Sequence, residues 1–102
     1  MNYRFLSIAR KEFDDAIDWY ESKSPGLGDD FLEEVYRTLQ RILQFPLAFS
    51  RMPRTPLHRE IRFLNVDRFD YLVVYDVLPS EVVVLGVVHA HSGGNPWRLR
   101  TP

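Results

Sequence analysis

The chain contains no cysteine at all, which excludes disulfides and thiolate metal sites and is compatible with a reducing compartment. No apolar stretch approaches the roughly 20 residues that cross a bilayer, and no charged segment followed by an apolar one opens the sequence. A soluble, cytoplasmic protein without a membrane partner is therefore expected. Net charge is nearly absent too, at −1, so there is no global electrostatic attraction to nucleic acid. Repeats, low-complexity tracts and linkers are lacking, so residues 1–102 read as one domain.

What is present is enough apolar material for a core: 45% hydrophobic and 14% aromatic residues in 102. A chain of this size buries roughly 60–68% of the surface it exposes when unfolded. Charge is unevenly divided. Residues 1–50 carry six basic and nine acidic side chains, whereas residues 51–102 carry seven and five, every basic one an arginine. Arginine presents a planar fork of donors suited to phosphate or carboxylate, although solvated surface arginines give the same count.

Residues 2–7 alternate weakly and suggest a short first strand, with Tyr3 and Phe5 on one face and Ser7 as an N-cap. From Ala9 to Lys23 an apolar stripe (Ala9, Phe13, Ala16, Ile17, Tyr20) predicts a helix whose outer face is acidic through Asp14, Asp15, Asp18 and Glu21. The segment SPGLG, residues 24–28, is a turn. A second helix is expected over Asp29–Gln44, with Phe31, Leu32, Val35, Leu39, Ile42 and Leu43 as its stripe and Pro46 as its stop. Residues 46–58, with three prolines, read as a loop. Three strands follow, REIRFL (59–64), YLVVYDV (71–77) and EVVVLGVV (81–88), with Arg62 on the face opposite Ile61 and Phe63. The expected fold is α+β, in the order β-α-α-β-β-β, with a helical hairpin on a mostly antiparallel four-stranded sheet. Both faces of the last strand are apolar, so a partner lying across the sheet, or an extended peptide added at its edge, would find a surface there.

The chemistry-bearing residues gather at the end of the chain, in HAHSGGNPWRLR. His89 and His91 have the spacing to face the same way, but no third ligand is in view, and no metal or other cofactor is expected. Ser92 lacks a nucleophile-elbow context, and GGNP lacks the lysine and spaced glycines of a phosphate loop. General acid–base chemistry by His89 or His91 is sensible near neutrality, with Arg62, Arg98 and Arg100 positioned to stabilise a phosphoryl transition state. The structural alternative is that His89 makes a strand-end hydrogen bond and Trp97 folds back onto the sheet.

Taken together, EFDDAIDWYE, GDDFLEEVYRTLQRILQFP, IRFL, FDYLVVYDV and EVVVLGVVHAHSGGNPW resemble the RelE/ParE superfamily of toxins over nearly the whole chain. The resemblance rests on Ala16–Glu21, Gly28 with Phe31, Pro46, Tyr71–Tyr75 and the closing His89–Trp97 segment. It implies the toxin of a type II toxin–antitoxin (plasmid stabilisation) pair, neutralised by a cognate antitoxin, as a homodimer or a toxin–antitoxin hetero-oligomer. ParE-like members poison DNA gyrase; RelE-like members cut mRNA on the ribosome. The catalytic set of the latter maps onto Arg62, less closely Arg59, and onto His91 and Trp97, where arginine and tyrosine are usual, while Leu72 stands where an arginine is expected. With that loss, and with the W-Y-E hairpin, a ParE-like gyrase inhibitor is expected, with Arg59, His89, Arg98 and Arg100 contacting target or antitoxin. The alternatives are an mRNA endoribonuclease and a non-toxic protein that only binds its antitoxin.

Overall fold

A computed structural model describes residues 1–91 and 100–102. In chain order the elements are β1 (Asn2–Phe5), α1 (Ser7–Lys23), α2 (Leu27–Gln44), β2 (Ser50–Arg51), β3 (Ile61–Asn65), β4 (Tyr71–Val77) and β5 (Glu81–His89). One sheet, ordered β1-β5-β4-β3-β2, carries the helical hairpin on one face. All neighbours are antiparallel except β1 and β5, which run parallel from Asn2 opposite Glu81 to Phe5 opposite Val84.

The α+β layer arrangement and element order agree with the sequence pattern, and three details differ. The sheet has five strands rather than four, because Ser50 and Arg51 pair with Phe63 and Arg62 inside the segment expected to be loop. Helix α1 starts at Ser7, with Leu6 in the cap position and no side-chain cap hydrogen bond. The reason is that residue 6 serves both elements: its N–H still donates to Val84 O while its carbonyl accepts from Arg10 N–H. Helix α2 starts two residues early, at Leu27, because a carboxylate from α1 caps the turn, as described below.

The strand alternation divides the core in two. On the helix side, Phe13, Phe31, Val35, Leu39 and Ile42 pack on Val73, Tyr75, Val82, Val84 and Val87. On the other side, Ile61, Val74, Val83, Leu85, Val88 and Met52 form a second cluster. The register between β4 and β5 slips there: Val74 faces Gly86 while Tyr75 faces Val84, leaving Leu85 as an extra residue in a β-bulge. The sequence suggested that this second apolar face would call for a partner. Instead Ile61, Val74, Val83 and Leu85 are fully buried within the chain itself.

Candidate functional site

The residues of the hairpin signature have separable roles. Ala16 and Tyr20 face the core, Tyr20 packing edge-on against Phe69 and tilted on Phe31. The Glu21 carboxylate accepts from Gly26 N–H at 3.0 Å and from Gly28 N–H at 3.0 Å, which satisfies donors that the start of α2 would otherwise leave bare. Gly28 is required by packing, since a Cβ there would lie 2.8 Å from Ile17 O. Trp19 is the exposed member, half accessible, with the Lys23 ammonium 4.9 Å from its ring centroid.

From Tyr20 a line of rings runs to the end of β5: Tyr20 to Tyr71 at 5.9 Å, Tyr71 to His89 at 5.4 Å, and His89 to His91 at 5.4 Å. His91 N–H donates to His89 Nδ1 at 3.2 Å, so that nitrogen is an acceptor and a neutral ring carries its proton on Nε2. Ala90 N–H donates to Asp70 O, tying this corner to the β3–β4 connection. Both phenols in this line of rings are pushed above their ordinary range. Burial is the main cause for each, joined by Tyr71 and Asp70 at Tyr20 and by Glu12 at Tyr71. Neither is a base near neutrality. Among the described residues no three metal-binding side chains come together.

The arginines lie elsewhere. Arg62 stands opposite Tyr75 on the helix face, where its Nη1 donates to Phe49 O at 2.5 Å and its Nη2 lies 3.5 Å from Glu60. Its side chain is 15% exposed, and among the described residues its buried Nε meets no hydrogen-bond partner. Tyr75, the largest fully buried side chain among the described residues, donates to Pro46 O at 3.1 Å, so both side chains hold the segment that leaves α2. The register puts Asn65 opposite Leu72 and Tyr71 opposite His89. Arg62 is thus three residues, about 10 Å, short of that end of β3 and two strands away from β5. The structure does not bring Arg62 and His91 together. Leu72 packs on the second cluster, away from the helices.

Two arginines meet at the back of the sheet. Arg59 Nε and Nη2 each donate to Asp76 Oδ2 at 3.1 Å, and Nη2 also donates to Arg100 O at 2.8 Å. Arg100 in turn grips Glu12 with both terminal nitrogens, at 2.9 and 3.1 Å, while its Nη1 donates to Leu85 O at 2.8 Å. Sequence reasoning gave neither Glu12 nor Asp76 a role. Asp76 carried a usable signal, an acid inside an apolar strand run, because a buried carboxylate needs a partner. Glu12 carried none. Trp97 and Arg98 lie outside the described residues.

A profile of the ParE toxin of the type II toxin–antitoxin system parDE matches residues 3–92. The chain belongs to the ParE toxin family. Its fold agrees with that assignment. A solved structure titled as a chromosomal ParDE toxin–antitoxin system from P. aeruginosa superposes with a TM-score of 0.76 at 16% identity. The match covers 89% of this chain and 97% of that one. No curated protein matches in sequence. This ParE-family chain therefore shares that structure's architecture at low sequence identity, and what it acts on has to be argued from its own residues.

Proposed function

We propose that this chain is the toxin of a ParDE-type pair, held inactive in the cytoplasm by a cognate antitoxin and acting, when free, by inhibiting DNA gyrase rather than by cutting mRNA. The observation that carries the choice of target is the placement of Arg62. A guanidinium that is largely buried on the helix face and committed to Phe49 O is not available to a phosphate. Leu72 offers no charge, and the tyrosines nearest His89 hold their protons. RNA cleavage without a metal needs a base, an acid and a cation around one phosphate, and these groups are dispersed. Inhibition by binding needs only a surface. Exposed Trp19, His89 and His91, with Arg98, are the side chains we assign to contacts with gyrase or antitoxin.

The test is to induce the toxin alone in a bacterium and compare two readouts. The expected result is growth arrest with intact messages, together with loss of supercoiling by purified gyrase in the presence of the purified toxin. Codon-phased mRNA ends that disappear with Arg62→Ala or His91→Ala would overturn the gyrase reading in favour of ribosome-dependent cleavage. Absence of arrest would leave a protein that binds only its antitoxin.

A further inference from the structure

The segment between β2 and β3 leaves the sheet as a closed loop whose base is fastened at several points. Met52, buried in the second cluster, donates its N–H to Ile61 O at 2.9 Å, and Arg51 pairs with Glu60. Arg59 is held by Asp76. Two successive turns build the tip, closed by Thr55 N–H to Met52 O at 3.3 Å and by Arg59 N–H to Pro56 O at 3.0 Å. Pro53 and Pro56 each fix one φ of these turns, and the Thr55 hydroxyl adds a bond to Met52 O at 2.5 Å. Such a loop has little freedom to lose on binding. Pro53 sets a negative φ and Arg54 follows at φ 63°, so the first turn is type II, with arginine where glycine or asparagine is usual. Arginine is strained there and glycine would not be. In the second turn Leu57 is 100% exposed. Arg54 and His58 are exposed too, and among the described residues neither makes a side-chain hydrogen bond or ion pair. Nothing in the fold accounts for these side chains.

We propose that residues 53–58 are a docking knob: Leu57 enters an apolar pocket of the toxin's protein target, and Arg54 pairs with a carboxylate on the rim of that pocket. This rests on the reading above, so the target is gyrase. The occupant has to be a folded protein, because a convex, preformed knob needs a concave site, whereas an extended peptide lies in grooves. A second copy of this chain fits poorly. Its cavity beside α2, lined by Arg37, Gln40, Arg41, Leu43 and Gln44, offers Arg54 no acidic side chain. The acidic surface of α1 is convex and offers Leu57 no pocket. Nucleic acid would engage the arginine through its phosphates and leave Leu57 in water. The knob is also a contact separate from the line of rings. It joins the sheet at Ile61, whereas the Tyr71–His89 pair lies beyond the other end of β3, where Asn65 stands opposite Leu72. The two ends are about 13 Å apart along the strand. A target that touches both grips the toxin across the length of β3, and loss of either contact weakens it.

The experiment uses the full chain and three variants, Leu57→Ser, Arg54→Asn and Arg54→Lys. Asparagine tolerates the left-handed turn and removes the charge; lysine keeps the charge without the fork. Both positions are exposed, so thermal unfolding of each variant is expected to match the parent chain. Purified gyrase is then titrated onto each immobilised toxin, and inhibition of supercoiling is measured beside it. Leu57→Ser and Arg54→Asn are each expected to weaken binding, and to raise the half-inhibiting concentration, by about tenfold or more. Arg54→Lys falls between Arg54→Asn and the parent chain. A Leu57→Ser variant that binds gyrase like the parent overturns the proposal and leaves the gyrase reading standing. That includes a loss confined to Arg54→Asn and fading as salt rises, which marks a phosphate contact. A loss confined to Leu57→Ser keeps the pocket and overturns its rim carboxylate. A parent chain that binds no gyrase overturns the proposal together with the reading on which it rests.

Discussion

On the helix side of the sheet the core is closed by rings: Phe13, Phe31, Tyr20, Phe69 and Tyr71 meet in tilted and edge-on pairs between 4.8 and 6.1 Å. On the other side the buried cluster is aliphatic, with the Arg59–Asp76 ion pair beside it, and a second arginine–carboxylate pair, Arg100–Glu12, joins α1 to the edge of β5. The first arrangement is non-directional. It tolerates small shifts and gives up free energy in proportion to area lost. The second is directional. Each guanidinium must find its carboxylate and a backbone carbonyl at once, and removing one member strands the other in a poorly hydrated place. One small domain therefore has one face built to be stable and another built to be particular.

Substitutions that break this contrast rank by how much they remove. Phe31→Ala, at the centre of the aromatic face and fully buried, is expected to cost about 3–5 kcal/mol by urea denaturation. That is enough to unfold a marginal domain at room temperature. On the directional face Asp76→Ala leaves the Arg59 guanidinium without its carboxylate at a site 12% exposed, and about 3 kcal/mol of destabilisation is expected. The sharper result comes from the double variant Arg59→Met/Asp76→Leu: recovery of most of that loss would show that the pair supplies specificity rather than net stability. Recovery of none would count against the contrast.

A smaller effect is expected at the hairpin. Gly28→Ala forces a methyl to within 2.8 Å of Ile17 O, a backbone atom that yields only if the helices part, and about 1–3 kcal/mol is expected in the same denaturation assay. The smallest neutral-pH effect belongs to Tyr75→Phe, at about 1 kcal/mol for one buried hydrogen bond to Pro46 O. Its signature is in the pH dependence. Burial pushes the Tyr75 hydroxyl up to about 12 from an ordinary 10.0. The native state then holds its proton where the unfolded chain has lost it, so the contribution is complete below pH 10 and is lost as pH rises toward 12. Alkaline unfolding should remove about 2 kcal/mol over that window in the parent chain and markedly less in Tyr75→Phe.

The aromatic face was legible because its residues repeat at helical and strand spacing: Phe13, Ala16, Tyr20 and Phe31, Val35, Leu39, Ile42 are the stripes that the periodicity predicts. That the last strand is apolar on both faces was legible; that the chain buries both faces itself was not. The directional face was hidden because its pairs are far apart in sequence. Arg100 meets Glu12 across 88 positions and Arg59 meets Asp76 across 17, and no local pattern encodes either. The cap that Glu21 gives α2 was hidden for a related reason, since its oxygens cross a turn. At the candidate site, the histidines could be named from their spacing. Only the strand register shows how far Arg62 lies from them, and that it is spent on the segment after α2.

The parallel pairing of β1 with β5 has a consequence in time. Among the described residues β1 has β5 as its one neighbour, far along the chain, and β5 is also the strand on which β4 zips. With residues up to Val77 alone, the helices and the β3–β4 hairpin can form, but the strand that both halves of the sheet lean on is missing. Contacts of such long separation form late and slowly. The closed sheet therefore comes into being only once β5 is available, which leaves an interval in which the helices and the β3–β4 hairpin exist and the assembled fold does not.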